Sequence, residues 1–206
     1  MALHVVDHPL AGHIVAQLRD KDTPPERYRQ QTRLLTTILL LEATRDVSTE
    51  PITVKTPLEN AEALRLGQSL AVVPVLRAGL AMLEACVSLF PDVAVGYIGL
   101  ERHHETAVAH SYYCKLPRLQ GRFTICLDPM LATGGSASQA ISLLKANGAV
   151  RPVMVSIIAA PEGVEKLTQD HPDVPIFTAA LDRELNDKKY ILPGLGDFGD
   201  RLYGTL

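Results

Sequence analysis

From residue 70 onward, the sequence alternates between short apolar segments and helical ones. Leu70–Leu76, for example, contains no charged or hydrogen-bonding side chain. Strands that are apolar on both faces are typical of a parallel sheet with helices on each side. The sequence therefore predicts an α/β fold, with a mostly parallel central sheet flanked by helices and joined by right-handed crossovers.

The predicted elements have a regular order, in which a buried strand is usually followed by a helix. We predict five strands and three helices, which in chain order cover about Leu70–Leu76 (strand), Gly79–Leu89 (helix), Val93–Leu100 (strand), Arg122–Leu127 (strand), Gly134–Ala146 (helix), Val153–Ala159 (strand), Glu162–Gln169 (helix) and Ile176–Leu181 (strand). The 206 residues suit one α/β domain.

The residues before this core are predicted to be helical. Leu10, Ile14 and Leu18 recur at helical spacing, and a second helix is expected from about Pro24 to Arg45. We therefore divide the single domain of 1–206 into N-terminal helices at about 9–46, a core at about 70–182 and a small C-terminal hood at about 183–206.

Ligands of such sheets bind beyond the carboxyl ends of the strands. In this chain that rule selects Arg77–Gly79, 128–136 and the segment that follows Asp182. The polar segment 101–119 shows no helical stripe. Because segments of this length are often lids or arms, we expect a mobile arm there.

The strongest local signal lies between residues 128 and 136, where a strand ends at an acid and a short loop leads into a helix. Gly134 and Gly135 lack the Cβ atoms that would keep a phosphate away from the backbone N–H groups. Thr133 and Ser136 add hydroxyl donors, and the helix N-terminus adds partial positive charge. Asp128 could accept hydrogen bonds from sugar hydroxyls. The segment therefore predicts a site for a sugar phosphate.

An ordinary strand-to-helix turn, with Thr133 or Ser136 capping the helix, is the competing interpretation. It would suffice for Thr-Gly-Gly alone, but strand, acid, Thr-Gly-Gly and helix together favour phosphate binding. A Walker A loop is excluded because the segment lacks Gly-Lys-Ser/Thr.

Arg77 ends a buried strand and is followed by Ala78 and Gly79, which are small enough to let an anion approach the backbone. An arginine at a strand end is usually a solvated ion-pair partner. Here the small residues and the parallel Thr-Gly-Gly loop favour binding of a pyrophosphate, because a guanidinium stays charged and binds phosphate oxygens in pairs.

The C-terminal segment from Gly194 to Gly199 matches the G-x-G-x-x-G pattern only by letter. Seven residues follow Gly199, too few for the crossover helix and strand of a dinucleotide site. Such a loop either closes the surface or presents backbone groups to a flat ligand, and its glycine density favours the second use.

Four separated motifs together resemble the type I phosphoribosyltransferases and, among them, the uracil phosphoribosyltransferase family. Asp128-Pro129-Met130-Leu131-Ala132-Thr133-Gly134-Gly135-Ser136 resembles its phosphoribosyl pyrophosphate (PRPP) loop, with Pro129 where most of the superfamily carry a second acid. Residues 73–80 resemble its pyrophosphate loop, 99–117 its mobile arm and 190–201 its uracil site. The resemblance covers essentially the whole chain.

The resemblance implies a pentosyltransferase of pyrimidine salvage that joins uracil to PRPP and gives UMP and pyrophosphate. The residues that it implies for PRPP are Arg77, Arg102, Asp128, Pro129, Met130, Leu131, Ala132, Thr133, Gly134, Gly135, Ser136 and Asp197. Those that it implies for uracil are Ile191, Gly196, Asp197 and Phe198. Arg77, Arg102 and Asp197 are the expected catalytic residues, and Mg²⁺ is expected to arrive on PRPP without a metal site on the protein.

Some details stay open at this point. The base that accepts the proton of uracil N1 is either Asp197 or a pyrophosphate oxygen. His103 and His104 stand where the family more often has an acid or amide, and Ala109 and Ser111 where it often has proline. These differences concern how the arm closes rather than its chemistry.

Charge and composition bear on the possible partners. The net charge of −3 does not favour nucleic acid or membrane. A regulator of this fold that binds RNA or senses the nucleotide is also disfavoured, because it would tolerate loss of the uracil-loop residues and these are intact. An enzyme for another base is disfavoured by Asp128-Pro129 and the C-terminal Gly-Asp-Phe-Gly-Asp.

We expect a cytoplasmic location, since no signal peptide or spanning segment is evident. The arm and apolar N-terminal helices predict a homodimer or larger homo-oligomer, and the resemblance raises GTP as an activator.

Overall fold

The structure, a computed structural model, describes residues 3–102 and 109–205. A nine-stranded sheet forms its centre. In chain order the strands are β1 (Leu3–Val5), β4 (Leu70–Leu76), β5 (Ala94–Val95), β6 (Tyr97–Arg102), β7 (Ala109–Lys115), β8 (Phe123–Leu127), β9 (Met130–Leu131), β10 (Val153–Ala159) and β11 (Ile176–Leu181), while two short hairpins outside it contain β2 (Thr49–Lys55) with β3 (Asn60–Leu66) and β12 (Glu184–Leu185) with β13 (Ile191–Leu192).

Across the sheet the strand order is β1-β11-β10-β8-β4-β6-β7, with β5 beside β4 and β9 beside β10. The neighbouring strands are parallel except for the pair β6 and β7, which is antiparallel. The predicted α/β fold with a mostly parallel sheet is therefore confirmed. Antiparallel pairing of β6 with β7 gives the predicted arm its base at one edge of the sheet.

Helices cover both faces of the sheet. In chain order they are α1 (Pro9–Arg19), α2 (Pro25–Ala43), α3 (Leu80–Leu89), α4 (Gly135–Ala146), α5 (Pro161–Asp170) and α6 (Phe198–Tyr203). Helices α1, α2, α3 and α6 contribute to one buried cluster, and α4 and α5 to a second cluster. Among the described residues, no helix combines the length and hydrophobicity that a membrane crossing requires.

The central strand β4 is buried on both faces of the sheet. Leu70 and Val72 belong to the cluster under α2 and α3, whereas Ala71 and Val73 belong to the one under α4 and α5. Because side chains alternate between the faces of a strand, a strand buried on both sides must be apolar at every position.

The observed elements differ from the predicted ones mainly where strands are short or exposed. The predicted strand Val93–Leu100 is divided into β5 and β6 by Gly96. Strand β1, the hairpins β2–β3 and β12–β13, and β9 are present without having been predicted. His103 and His104 lie outside the described residues.

Candidate active site

The two predicted anion loops lie side by side at the carboxyl edge of the sheet. Strands β4 and β8 are parallel neighbours, with Pro74 opposite Leu127, so Arg77 and Asp128 follow adjacent strand ends. A Cβ atom on Gly79 would lie 2.5 Å from the carbonyl oxygen of Leu127 and 2.6 Å from that of Val75. Glycine at this position therefore lets the Arg77 loop approach the beginning of the Asp128 loop.

Arg77 is exposed and follows a cis peptide bond. Its backbone carbonyl accepts a hydrogen bond from Leu80 N–H at 3.1 Å, at the beginning of α3. Strand β6 lies next to β4 and ends at Arg102, so both predicted arginines come from adjacent strand ends. The side chain of Arg102 lies outside the described part of the chain.

The segment after Asp128 is more ordered than a simple loop. The carbonyl of Pro129 accepts hydrogen bonds from the N–H groups of Ile157 at 3.0 Å and Ile158 at 3.1 Å, and β9 then continues the pairing with β10. Pro129 and Leu131 are buried. The side chains of these two residues of the predicted PRPP site therefore belong to the core, and Pro129 has no N–H group to donate to a ligand.

The beginning of α4 has the geometry of an anion site. Gly134 is its N-cap, with φ of 78°, and this residue has no side chain to cap the helix. A Cβ on Gly134 would lie 2.7 Å from the carbonyl oxygen of Gly163 in α5. The N-cap is therefore Gly134 rather than Thr133 or Ser136. The first N–H groups of a helix lack intrahelical partners, so those of α4 can bind an anion.

A cavity of about 320 Å³ brings three separated motifs together. Its walls come from the loop after β4, the segment after β8 and the C-terminal hood. The lining residues are Ala78, Met130, Ala132, Lys188, Lys189, Tyr190, Ile191, Gly196, Asp197, Phe198 and Gly199. Six of the predicted site residues are therefore in this wall, and Arg77 and Thr133 adjoin it in sequence.

The hood loop is held in place by a network that was not predicted from the sequence. The guanidinium of Arg19 in α1 binds both carboxylate oxygens of Asp182, at 2.8 and 2.5 Å. Both residues also hold Gly194, whose carbonyl accepts from Arg19 at 2.8 Å and whose N–H donates to Asp182 at 2.9 Å. The hydrogen bonds that Arg19 donates to Asp182 raise the pKa of the Arg19 guanidinium, so this side chain keeps its charge.

Asp197 and Phe198 have structural roles besides the predicted ones. The carboxylate of Asp197 accepts a hydrogen bond from Asp200 N–H at 3.0 Å and so caps α6. The ring of Phe198 is buried against Tyr28, with centroids 5.2 Å apart and an interplanar angle of 65°. A flat ligand in the cavity would therefore meet the backbone of Phe198 rather than its ring.

Comparison with known proteins identifies the fold first. The hypoxanthine phosphoribosyltransferase from Trypanosoma cruzi superposes with a TM-score of 0.52 at 10% sequence identity, over 76% of each chain. The chain therefore has the fold of a type I phosphoribosyltransferase, with two loops at adjacent strand ends. A model of the family described as uracil phosphoribosyltransferase matches residues 5–205. The chain belongs to the uracil phosphoribosyltransferase family.

Close relatives agree along the whole length. The uracil phosphoribosyltransferase from Thermus thermophilus is 49% identical and covers 100% of both chains, and that from Symbiobacterium thermophilum is 48% identical over 98% of this chain and 97% of its own. A solved structure of a protein from Aquifex aeolicus has a TM-score of 0.93 at 40% identity, over 98% of each chain. The predicted family and activity are confirmed: the chain is a pentosyltransferase that converts uracil and PRPP to UMP and pyrophosphate.

Proposed function

We propose that uracil and PRPP react in the cavity between the two strand-end loops and the hood. The observation that carries this proposal is the common cavity wall, to which Ala78, Met130, Ala132, Ile191 and the segment 196–199 all contribute. Each of the three predicted subsites has at least one residue in that wall.

The 5′-phosphate of PRPP binds at the beginning of α4, where the backbone N–H groups, Thr133 and Ser136 surround it. Gly134 and Gly135 leave the backbone accessible, and the helix dipole favours the negative charge. Asp128, at the tip of β8, accepts hydrogen bonds from the ribose hydroxyls. The side chains of Pro129 and Leu131 are buried, so these two residues shape the loop from the core.

The pyrophosphate of PRPP binds to Arg77 and Arg102. Arg77 is exposed at the edge of the sheet, and among the described residues its side chain makes no hydrogen bond or ion pair. Guanidinium groups bind phosphate oxygens in pairs and keep their charge as the leaving group develops.

Uracil binds through the backbone of the hood. Its O4, N3–H and O2 present acceptor, donor and acceptor, which main-chain N–H and C=O groups of Ile191 and of Gly196 to Phe198 can match. A site that pairs with these edges rejects bases that leave its groups unpaired. The network of Arg19, Asp182 and Gly194 fixes the loop that carries these groups.

In the reaction, N1 of uracil forms a bond to C1′ of the ribose while the bond from C1′ to the pyrophosphate oxygen breaks, with inversion at C1′. By analogy with glycosyl transfer, the transition state is oxocarbenium-like. The proton of N1 goes to Asp197 or to an oxygen of the departing pyrophosphate. Catalysis therefore rests on positioning and on stabilising the charge of the leaving group.

Mg²⁺ enters this proposal as a companion of PRPP. The described residues contain no group of three or more His, Cys, Asp or Glu side chains suited to a metal, and Asp197 is the one acid among the described residues of the cavity wall. This donor set fits an ion held mainly by phosphate oxygens and water. When bound, Mg²⁺ neutralises charge on the pyrophosphate.

Assembly and regulation are further parts of the proposal. The hairpin of β2 and β3 carries the exposed side chains of Leu58, Leu64 and Leu66, which supports assembly into a homodimer or larger homo-oligomer. GTP activation stays a prediction from the resemblance to the family. The cytoplasmic location and the division of the chain into N-terminal helices, core and hood stay predictions.

The test is UMP formation from uracil and PRPP, with cytosine, orotate, guanine and hypoxanthine in parallel and GTP present or absent. We expect turnover with uracil alone, loss of turnover when Mg²⁺ is chelated, and a loss of about 10²-fold or more in kcat/KM for Arg77→Ala. Arg33→Ala, which removes an exposed arginine on α2, is the control and should retain activity. Full activity of Arg77→Ala would contradict the proposed pyrophosphate contact.

A further inference from the structure

The turn that joins β12 to β13 adds two cations to the cavity wall. Lys188 and Lys189 line the same cavity as Ala132 and Asp197. Among the described residues of that wall, these lysines alone carry positive charge. Neither was selected by the sequence motifs, since the segment that resembles the uracil site of the family begins at Tyr190.

The backbone of this turn holds Lys189 in a conformation that lysine rarely adopts. Its φ is 65°, in the left-handed region that favours glycine. Asn186 fixes the turn: its side-chain oxygen accepts from Lys188 N–H at 3.0 Å and Tyr190 N–H at 2.9 Å, and its carbonyl accepts from Lys189 N–H at 2.8 Å. Backbone strain of this kind is concentrated at ligand sites.

The hairpin that carries this turn is bound to the end of α5 that lies beside Ala132. Glu162, in the first turn of α5, accepts a hydrogen bond from Leu185 N–H at 2.9 Å, which ties the hairpin to α5. The next residue, Gly163, lies against the segment 128–136, here called the sugar-phosphate loop. A Cβ on Gly163 would be 2.5 Å from the carbonyl oxygen of Ala132. The pKa of Glu162 is lowered mainly by hydrogen bonds from backbone N–H groups, and the charge of Lys189 contributes. Lys189 is thus near this helix end.

The sugar-phosphate loop itself lacks a cation. Residues 132–136 are Ala, Thr, Gly, Gly and Ser, so a phosphate dianion would meet hydroxyl groups and backbone dipoles but no positive side chain. Lys166 lies close to Gly134, but its ammonium is bound to both carboxylate oxygens of Asp170, at 2.8 and 2.6 Å. Lys189, by contrast, has no carboxylate of a described residue within ion-pair distance.

We infer that Lys189 binds the 5′-phosphate of PRPP and of UMP, and so adds from the hood the positive charge that the loop at the beginning of α4 lacks. This inference rests on the proposed position of the 5′-phosphate at Thr133 to Ser136. An ammonium on a flexible stem suits such a contact, since a point charge needs no fixed orientation. The contact also joins the hood directly to the phosphate of the bound ligand.

The experiment compares Lys189→Gly, Lys189→Arg and Lys188→Ala with the unmodified enzyme. Glycine removes the charge and also accepts a positive φ, so this variant is expected to fold at least as well. We measure kinetics with PRPP and calorimetric binding of UMP, uridine and pyrophosphate. For Lys189→Gly we expect weaker UMP binding and a higher KM for PRPP, each by about fivefold to tenfold, with kcat within about twofold. Lys189→Arg should keep most of the affinity.

Uridine and pyrophosphate separate the possible contacts. Because uridine lacks the 5′-phosphate, its affinity should not change in Lys189→Gly, and the affinity for pyrophosphate should also be retained. Equal loss of uridine binding would mean that the hood was displaced, and loss of pyrophosphate binding would move the contact to the leaving group. Either result overturns the inference, as does unchanged UMP binding.

Lys188→Ala removes the same charge from the neighbouring residue. A smaller loss of UMP affinity than in Lys189→Gly is expected, and a loss as large would indicate a general positive field rather than a contact by Lys189. Failure of the proposed function looks different. In that case substitutions at Thr133 or Gly134 would leave UMP binding unchanged, whatever the effect of Lys189→Gly.

Discussion

At the scale of single residues, the position of the uracil loop depends on Asp182. Its carboxylate is almost wholly buried, with 3% of the side chain exposed, and it binds both Arg19 and the backbone of Gly194. The sequence places Asp182 at the end of a strand, but its partner Arg19 is 163 residues away and no local pattern joins them. An ion pair between residues so far apart depends on tertiary structure, so no sequence motif predicts it.

We expect Asp182→Asn to destabilise the protein and to weaken uracil binding more than PRPP binding. The amide cannot balance the charge of Arg19, which stays partly buried. Because 26% of the Arg19 side chain is exposed, the cost is reduced from that of a fully buried pair to about 1–3 kcal/mol. Urea unfolding gives the stability, and KM values for both substrates give the binding.

The matched control is Arg33→Ala, which breaks the ion pair between Arg33 and Glu84. Both side chains of that pair are largely exposed, so the unfolding midpoint should hardly change. Equal midpoints for Asp182→Asn and the unmodified protein would contradict a supporting role for the buried network. A rise in KM for PRPP alone would assign Asp182 to a different subsite.

At the scale of secondary-structure elements, the sequence predicted most accurately the strands that are buried on both faces. The bounds of β4, β10 and β11 agree with the predicted Leu70–Leu76, Val153–Ala159 and Ile176–Leu181. The three core helices also begin and end within one residue of their predicted bounds. Burial on two sides requires an unbroken apolar sequence, and that signal is local.

Exposed and very short strands gave no such signal. The strands β2 and β3 pair with each other, and their residues are partly or fully exposed, so hydrophobicity does not mark them. Strand β9 has two residues and exists because Met130 and Leu131 continue alongside β10. In the candidate site, too, only local signals were predictive. Glycine motifs in the sequence predicted its loops, whereas no motif marks the turn that carries Lys189.

Helix α4 provides the prediction at this scale. Gly134→Ala forces alanine into a φ of 78° and places its Cβ 2.7 Å from the carbonyl oxygen of Gly163, so α4 and α5 must separate. We expect a loss of about 2–4 kcal/mol in the free energy of unfolding and a higher KM for PRPP. Thermal unfolding and steady-state kinetics measure the two effects.

Gly12→Ala is the control, because it makes the same substitution inside α1. A Cβ at Gly12 would meet no atom within 4 Å, and alanine is the better helix former, so stability should rise by about 0.5–1 kcal/mol. Activity should be retained. If Gly134→Ala were as stable and active as Gly12→Ala, close packing of α4 on α5 would not be needed for the phosphate site.

At the scale of the whole molecule, the hood is fastened to the N-terminal helices. Arg201 in α6 donates hydrogen bonds to the carbonyls of Leu18 and Asp20 and, at 2.9 Å, to that of Leu195. Its guanidinium also lies 4.6 Å from the ring centroid of Tyr28 in α2. Burial raises the pKa of the Tyr28 phenol, so the ring stays neutral under this cation.

A ligand between the hood and the sheet should therefore stabilise the whole fold rather than one loop. At a UMP concentration of 100 Kd, linkage predicts a gain of about 2.7 kcal/mol in the free energy of unfolding, which for a chain of this size is about 5–11 °C in Tm. Arg77→Ala should retain this shift because UMP lacks the pyrophosphate, whereas Gly134→Ala should lose most of it. The measurement is thermal unfolding at several UMP concentrations, followed by two probes, one in the hood and one in the core. If the hood melted separately at a lower temperature and UMP moved only that transition, the hood would be an independent lid, and the contacts of Arg201 would not join it to the rest of the molecule.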